Sequence, residues 1–159
     1  MPTSYAVVTK KFIKKLKGDT SFFNYKNLTE AEIEALVEDH LTSLLNQAID
    51  KIYLYGLPDF DFYDKDDELQ TFNGDLVLQE VSLLTDIMYL TYAEEDRNKL
   101  KVLGLTFRSS ELNVFSPANE RKSFLDMIEK IEMSVVNSIS NYLSRDRLTW
   151  KLKSIYGGN

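Results

Sequence analysis

The tetrapeptide Thr29-Glu30-Ala31-Glu32, standing at the head of a long apolar stripe, narrows the possible folds more than any other feature of the chain. Threonine followed three residues later by glutamate is a capping box. The hydroxyl accepts from the third amide of the helix, and the glutamate reaches back to the threonine amide. Ile33, Leu36, Val37, Leu41, Leu44, Leu45, Ala48 and Ile52 follow at steps of three and four. That is the spacing of one helical face, and it predicts an amphipathic helix of about six turns. Leu57-Pro58 ends it, because the residue before a proline resists helical angles. A helix this long with one apolar face requires partners to cover it.

The partners are legible on either side. In residues 5 to 17, Val8, Phe12, Ile13 and Leu16 fall at helical spacing while Lys10, Lys11, Lys14, Lys15 and Lys17 take the rest of the surface, before Gly18-Asp19-Thr20-Ser21 stops the run. This predicts a short basic amphipathic helix. After the turn pair Asn73-Gly74, Asp75 is expected to cap a third helix. Its wide stripe of Leu76, Val77, Val81, Leu84, Ile87, Met88 and Leu90 predicts the most buried helix, with Glu94, Glu95, Asp96, Arg97 and Lys99 as its solvated end. Ser116-Pro117 opens a fourth helix, serine at the cap and proline in the first turn, and Phe124, Ile128, Ile131, Val135, Ile139 and Leu143 carry its stripe. Between the third and fourth, Thr106-Phe107 or Asn113-Val114-Phe115 is a place for a short strand or hairpin. Residues 53 to 72 interleave Tyr53, Tyr55, Phe60, Phe62, Tyr63 and Phe72 with acids and read as a structured loop pinned by its aromatics. The fold class expected is all-α: a compact bundle of about four helices with an aromatic and acidic loop, one short β-hairpin at most, and extended termini.

Composition agrees with one such domain. The 159 residues are 43% hydrophobic and 28% charged, with only six glycines and three prolines, a globular rather than disordered balance. With no cysteine and a single histidine, His40, thiolate chemistry and an imidazole-rich metal site are both excluded. A formal charge of −6 argues against broad coating of nucleic acid or membrane. The opening residues lack the order of a signal peptide, a basic start followed by an apolar stretch, so a chain made and used in the cytosol is expected. The domain boundary is placed at Ser144, with 1–144 as the helical domain and 145–159 as an extended C-terminal tail.

A search for chemistry returns little. The only adjacent glycines are Gly157 and Gly158, so no phosphate loop is present. Ser43, Ser82 and Ser123 lie in helical stripes rather than on glycine-flanked elbows. His40 follows Glu38 and Asp39, but neighbours on a helix diverge and cannot share a substrate. The acidic run Asp59, Asp61, Asp64, Asp66, Asp67 and Glu68 fails as a calcium loop. Counted from Asp59, the sixth and twelfth positions are Asp64 and Gln70; counted from Asp64, they are Leu69 and Asp75, where a glycine and a glutamate are required. No catalytic residue, cofactor site or metal site is therefore expected. Basic residues gather at both ends, and Arg145, Arg147, Lys151 and Lys153 surround Trp150 and Tyr156. An aromatic among steering charges reads as a partner-docking arm with Trp150 as its anchor, mobile until it docks.

From about Phe23 to Arg147 the chain resembles the head–tail connector (neck, adaptor or head-completion) proteins of tailed bacteriophages. The likeness lies in the Tyr25-to-Glu32 opening, Leu44-Leu45-Asn46-Gln47-Ala48-Ile49, the Glu80-to-Tyr89 helix, Phe115-Ser116-Pro117-Ala118-Asn119-Glu120, and Tyr142-Leu143-Ser144-Arg145. The resemblance implies a non-enzymatic structural subunit of the virion neck, made in the host cytoplasm. Such a subunit forms a ring with itself, usually dodecameric, beneath the portal protein, and offers a surface to the next neck or tail-completion protein. Genomic DNA passes through without sequence-specific contact, and no membrane is involved. The acidic loop from Asp59 to Glu68 then suits a subunit interface or channel lining. Two other classes fit the residues: a cytosolic regulatory domain that binds a partner through its basic first helix, and an enzyme using the loop acids with a divalent ion.

Overall fold

In the computed structural model, residues 1–16, 29–106 and 118–154 are described. In chain order they form β1 (Thr3–Ser4), α1 (Tyr5–Lys15), α2 (Glu30–Tyr55), β2 (Lys65–Asp66), β3 (Thr71–Phe72), α3 (Leu78–Thr106) and α4 (Ala118–Leu143). Among the described residues the architecture is mostly helical, as the patterning predicts, with one small three-stranded sheet that takes in the N-terminus as well as the acidic loop.

The capping box forms as read. Thr29 Oγ1 accepts from the Glu32 amide, and Glu32 accepts from the Thr29 amide at 2.9 Å. Ser4, not singled out from the sequence, caps α1 by accepting from the Ala6 amide. Asp75 does not cap α3. The helix starts at Leu78, and Glu80 reaches back to the Val77 amide at 2.9 Å, while Asp75 accepts from the Thr3 hydroxyl. The charged stretch after Leu90 is not the end of α3 either, because its charges turn sideways to neighbours. Glu94 pairs with Lys51 and Arg97, and Glu95 meets His40 at 3.1 Å, so the helix continues to Thr106. Thr106 is thus helical, and the remaining strand candidates at 107–115, with the Ser116-Pro117 cap, lie outside the described residues. A hairpin does form inside the acidic loop, where β2 pairs antiparallel with β3.

The core draws on every helix. Leu44, Leu84, Ile87 and Ile128 are each 0–1% exposed. Phe124 and Ile131, expected beside them, lie half-buried at the margin of the α4 stripe. Alongside α3, α1 runs in the same direction: Lys11 donates to Ser82 at 2.6 Å and Lys15 to Asp86 at 2.5 Å, with the Lys15 ammonium over the Tyr89 ring. Those two lysines hold helices together rather than facing a partner.

The loop after α2 is organised by three buried phenylalanines. Phe60, Phe62 and Phe72 pack edge to face at centroid distances of 5.1 to 6.4 Å, a favoured aromatic geometry. A Cβ at Gly74 would lie 2.6 Å from the Phe60 ring, so no larger residue fits beneath it. Strand order is β1-β3-β2, both pairs antiparallel, with Thr3 opposite Phe72 and Lys65 opposite Phe72 on the other side. Gln70, in the left-handed region at φ 51°, turns the hairpin. The N-terminus is thereby stitched to the loop, with Tyr5 donating to Asp67 at 2.7 Å.

Candidate functional site

The residues nominated for docking lie on a strap, 145–154, that returns along the body instead of extending from it. Its turn is built locally. The Asp146 carboxylate accepts from the amides of Leu148 and Thr149 and from the Thr149 hydroxyl, the self-bonding that makes aspartate a turn former. These bonds hold the Asp146 carboxyl below its ordinary range. The Trp150 amide donates to the Asp146 carbonyl at 2.9 Å, and Trp150 itself sits at φ 59°, a left-handed posture unusual for a large side chain. Arg145 donates to the Trp150 carbonyl at 3.0 Å with its guanidinium 5.8 Å from the indole centroid. A bridge between Arg145 and Leu152 closes the loop.

One carboxylate anchors the strap to the bundle. Glu80, 0% exposed, accepts from Arg147 Nε at 2.5 Å and Nη2 at 3.0 Å, from the Tyr142 hydroxyl at 2.7 Å, and from the Val77 amide. Arg147 also donates to the Asp75 carbonyl and lies 4.6 Å over the Phe60 ring. Bonding to Glu80 raises the Arg147 pKa above its ordinary value, while burial, then the Glu80 hydrogen bond, pushes the Tyr142 phenol far up. The start of α3, the end of α4, the strap and the loop all meet at this node.

Residues 145–154 are therefore packed on the body, not extended from it. Arg147 is spent on Glu80, and Lys153 donates to Asp59 at 2.7 Å and to the Leu143 carbonyl at 3.0 Å. Trp150 is half-buried against the core and lines a groove of about 340 Å³ with Leu78, Leu83, Asp86, Asn141 and Tyr142. Lys151 is exposed, and so are two apolar side chains, Leu148 and Leu152, at 76% and 68%. Tyr156 lies outside the described residues.

The acidic residues prove to be mostly architectural. Asp61 accepts from the Tyr53 hydroxyl and the Tyr63 amide, Asp64 from Asn73, and Asp66 from the amides of Glu68 and Leu69. Asp67 takes Lys65 and Tyr5, bonds that hold its carboxyl below the usual range. Burial, then the Asp61 bond, pushes the Tyr53 phenol up to about 12. Glu68 stands exposed. Through Lys153 and Asp59 the structure brings the basic and acidic candidate sets into contact with each other. Among the described residues no group of three or more His, Cys, Asp or Glu is placed to hold a metal ion, and no helix is long and apolar enough to cross a membrane.

Glu80 is the residue that sequence reasoning passed over. The signal was available: a lone acid within the α3 stripe, four residues after Leu76 and beside Val81. A carboxylate at a buried position demands donors. No family model, curated protein or solved structure matches the chain.

Proposed function

We propose that this protein is a structural, non-enzymatic subunit of a tailed-phage neck, a head–tail connector that docks as a ring on the portal. There it extends the DNA channel and meets the next neck or tail-completion protein. The observation that carries this reading is the convergence of the segments in which the chain resembles such proteins. Leu44, Leu45, Ala48 and Ile49 of α2, Glu80 to Met88 of α3 and Tyr142 of α4 pack into one core, and Glu80 joins Tyr142 directly. That the α2, α3 and α4 pieces among the described residues meet in one core supports the reading. Fold-level likeness alone does not establish a function, and the strap adds a functional argument. It turns Arg147 inward and two leucines outward, which a tail made only for solubility has no reason to do. Leu148, Lys151 and Leu152 are the surface offered to the portal or to the next component.

Electron microscopy of the purified protein mixed with the portal of the same source tests the reading. A ring of additional density on the portal's tail-facing end is the expected result. A portal that stays bare at saturating protein contradicts it and favours the regulatory-domain alternative, whose partner would be sought at the basic face of α1.

A further inference from the structure

The C-terminal end of α2 exposes apolar surface of a kind that a free-standing fold avoids. Leu54 is 81% and Leu57 83% exposed, and Tyr55 and Tyr63 stand half out of the fold. Asp50, one turn before Leu54, accepts from the Tyr63 hydroxyl at 2.7 Å, which lays the tyrosine ring along this end of the helix. Asp50 and the exposed Asp64 carry no ion pair among the described residues. The result is exposed apolar surface at the end of α2, with the Asp50 carboxylate bonded to its tyrosine and the Asp64 carboxylate next to that tyrosine in the chain. Isolated exposed leucines are ordinary, but several at one place mark an interaction surface.

The complementary surface is on the same chain. The outward stripe of α1 is Val7, Lys10 and Lys14, spaced three and four apart; Val7 is 50% exposed, and both lysines are exposed. Unlike Lys11 and Lys15, which are bonded to α3, Lys10 and Lys14 have no ion pair among the described residues. Lysine stems cover apolar surface while their ammonium groups seek carboxylates. One stripe therefore offers to a second copy both kinds of contact that the Leu54 patch lacks.

We propose that the Val7, Lys10 and Lys14 face of one copy docks on the Leu54, Leu57 and Tyr63 patch of the next, with the lysines paired to Asp50 and Asp64. The two surfaces share no residue, so the contact is heterologous, and repetition closes a ring or extends a filament. The inference rests on the ring-forming part of the proposed function and names the subunit interface.

The test is sedimentation of the full chain over a concentration series at low ionic strength, where the Debye length is about 30 Å at 0.01 M. The wild type is expected to self-associate and to weaken as salt is added. Lys10→Glu/Lys14→Glu and Asp50→Lys/Asp64→Lys should each weaken association roughly tenfold or more, the effect of about 1.4 kcal/mol. An equimolar mixture of the two variants should recover it, because each variant's altered face then meets its complement. Recovery also shows that both variants fold. A wild type that stays monomeric across the series overturns the proposal. So does association that either variant leaves unchanged, or loss in both variants without recovery on mixing. A portal that captures the charge-reversed variants as well as it captures the wild type would overturn this interface while leaving the connector reading intact.

Discussion

Where α2, α3 and α4 meet, Leu44, Leu84, Ile87 and Ile128 are lost to solvent and the contacts are carbon against carbon. Immediately after α4, the strap is held by nitrogen and oxygen: Arg147 to Glu80, Lys153 to Asp59, and Asp146 to its own turn, with Leu148 and Leu152 left outside. The difference bears on how each region fails. Apolar burial is roughly proportional to area and tolerant of small shifts, so the bundle resists local perturbation. A buried carboxylate depends on a few donors in fixed positions, and removing one leaves a desolvated charge without its partner. Losses in the bundle should therefore scale with the apolar volume removed, whereas the strap should be either seated or released.

Substitutions separate the two regimes. Leu84→Ala should have the largest effect, about 2–5 kcal/mol by urea denaturation, since a large side chain is deleted from a site that the surrounding helices cannot refill. An unmoved midpoint would mean that α3 does not face the core as described. Arg147→Ala comes next, at about 1–3 kcal/mol, because Glu80 stays buried with Tyr142 and the Val77 amide but without its cation. Its distinguishing sign is spectroscopic: Trp150 emission should shift to longer wavelength while helicity by circular dichroism holds. Truncation after Ser144 should reproduce that loss of stability, so the removed segment is not a free appendage. Thr29→Ala should cost about 1 kcal/mol, the usual value of an N-cap, without changing Trp150 emission. An effect of Thr29→Ala on the strap would erase the distinction between the regions.

What the sequence disclosed follows the same division. Periodicity reports apolar burial, so the stripes of α1 to α4 were readable in outline, though Leu36 is exposed and Val37, Phe124 and Ile131 are only half-buried; the capping box at Thr29 was readable from its own spacing. Polar attachments have no period. The Glu80 to Arg147 pair spans 67 positions, and nothing near Arg147 indicates that its charge is used internally, so the strap read as a free arm. Asp75 read as a cap because aspartate after Asn-Gly is a common helix start; the buried Glu80 instead caps from inside the helix. The loop was legible as aromatic and acidic, but its acids act mainly as acceptors for neighbouring amides and phenols, a role their spacing does not reveal. Among the described nominated residues, Lys151 and Glu68 are exposed, Asp59, Asp61, Asp64, Asp67 and Lys153 are exposed but bonded within the fold, and Arg147 is committed to Glu80.

Native-state hydrogen exchange tests the polar attachment most directly. The amides of Asp146, Trp150 and Lys153 donate to the carbonyls of Lys151, Asp146 and Ser144, so in the wild type they should be protected. In Arg147→Ala they should exchange at close to the unprotected rate, while the amides of α2 and α3 keep their protection, as expected of a unit that opens separately. Strap amides that exchange freely in the wild type, or that lose protection only together with the α2 and α3 amides, would contradict a strap seated by Glu80.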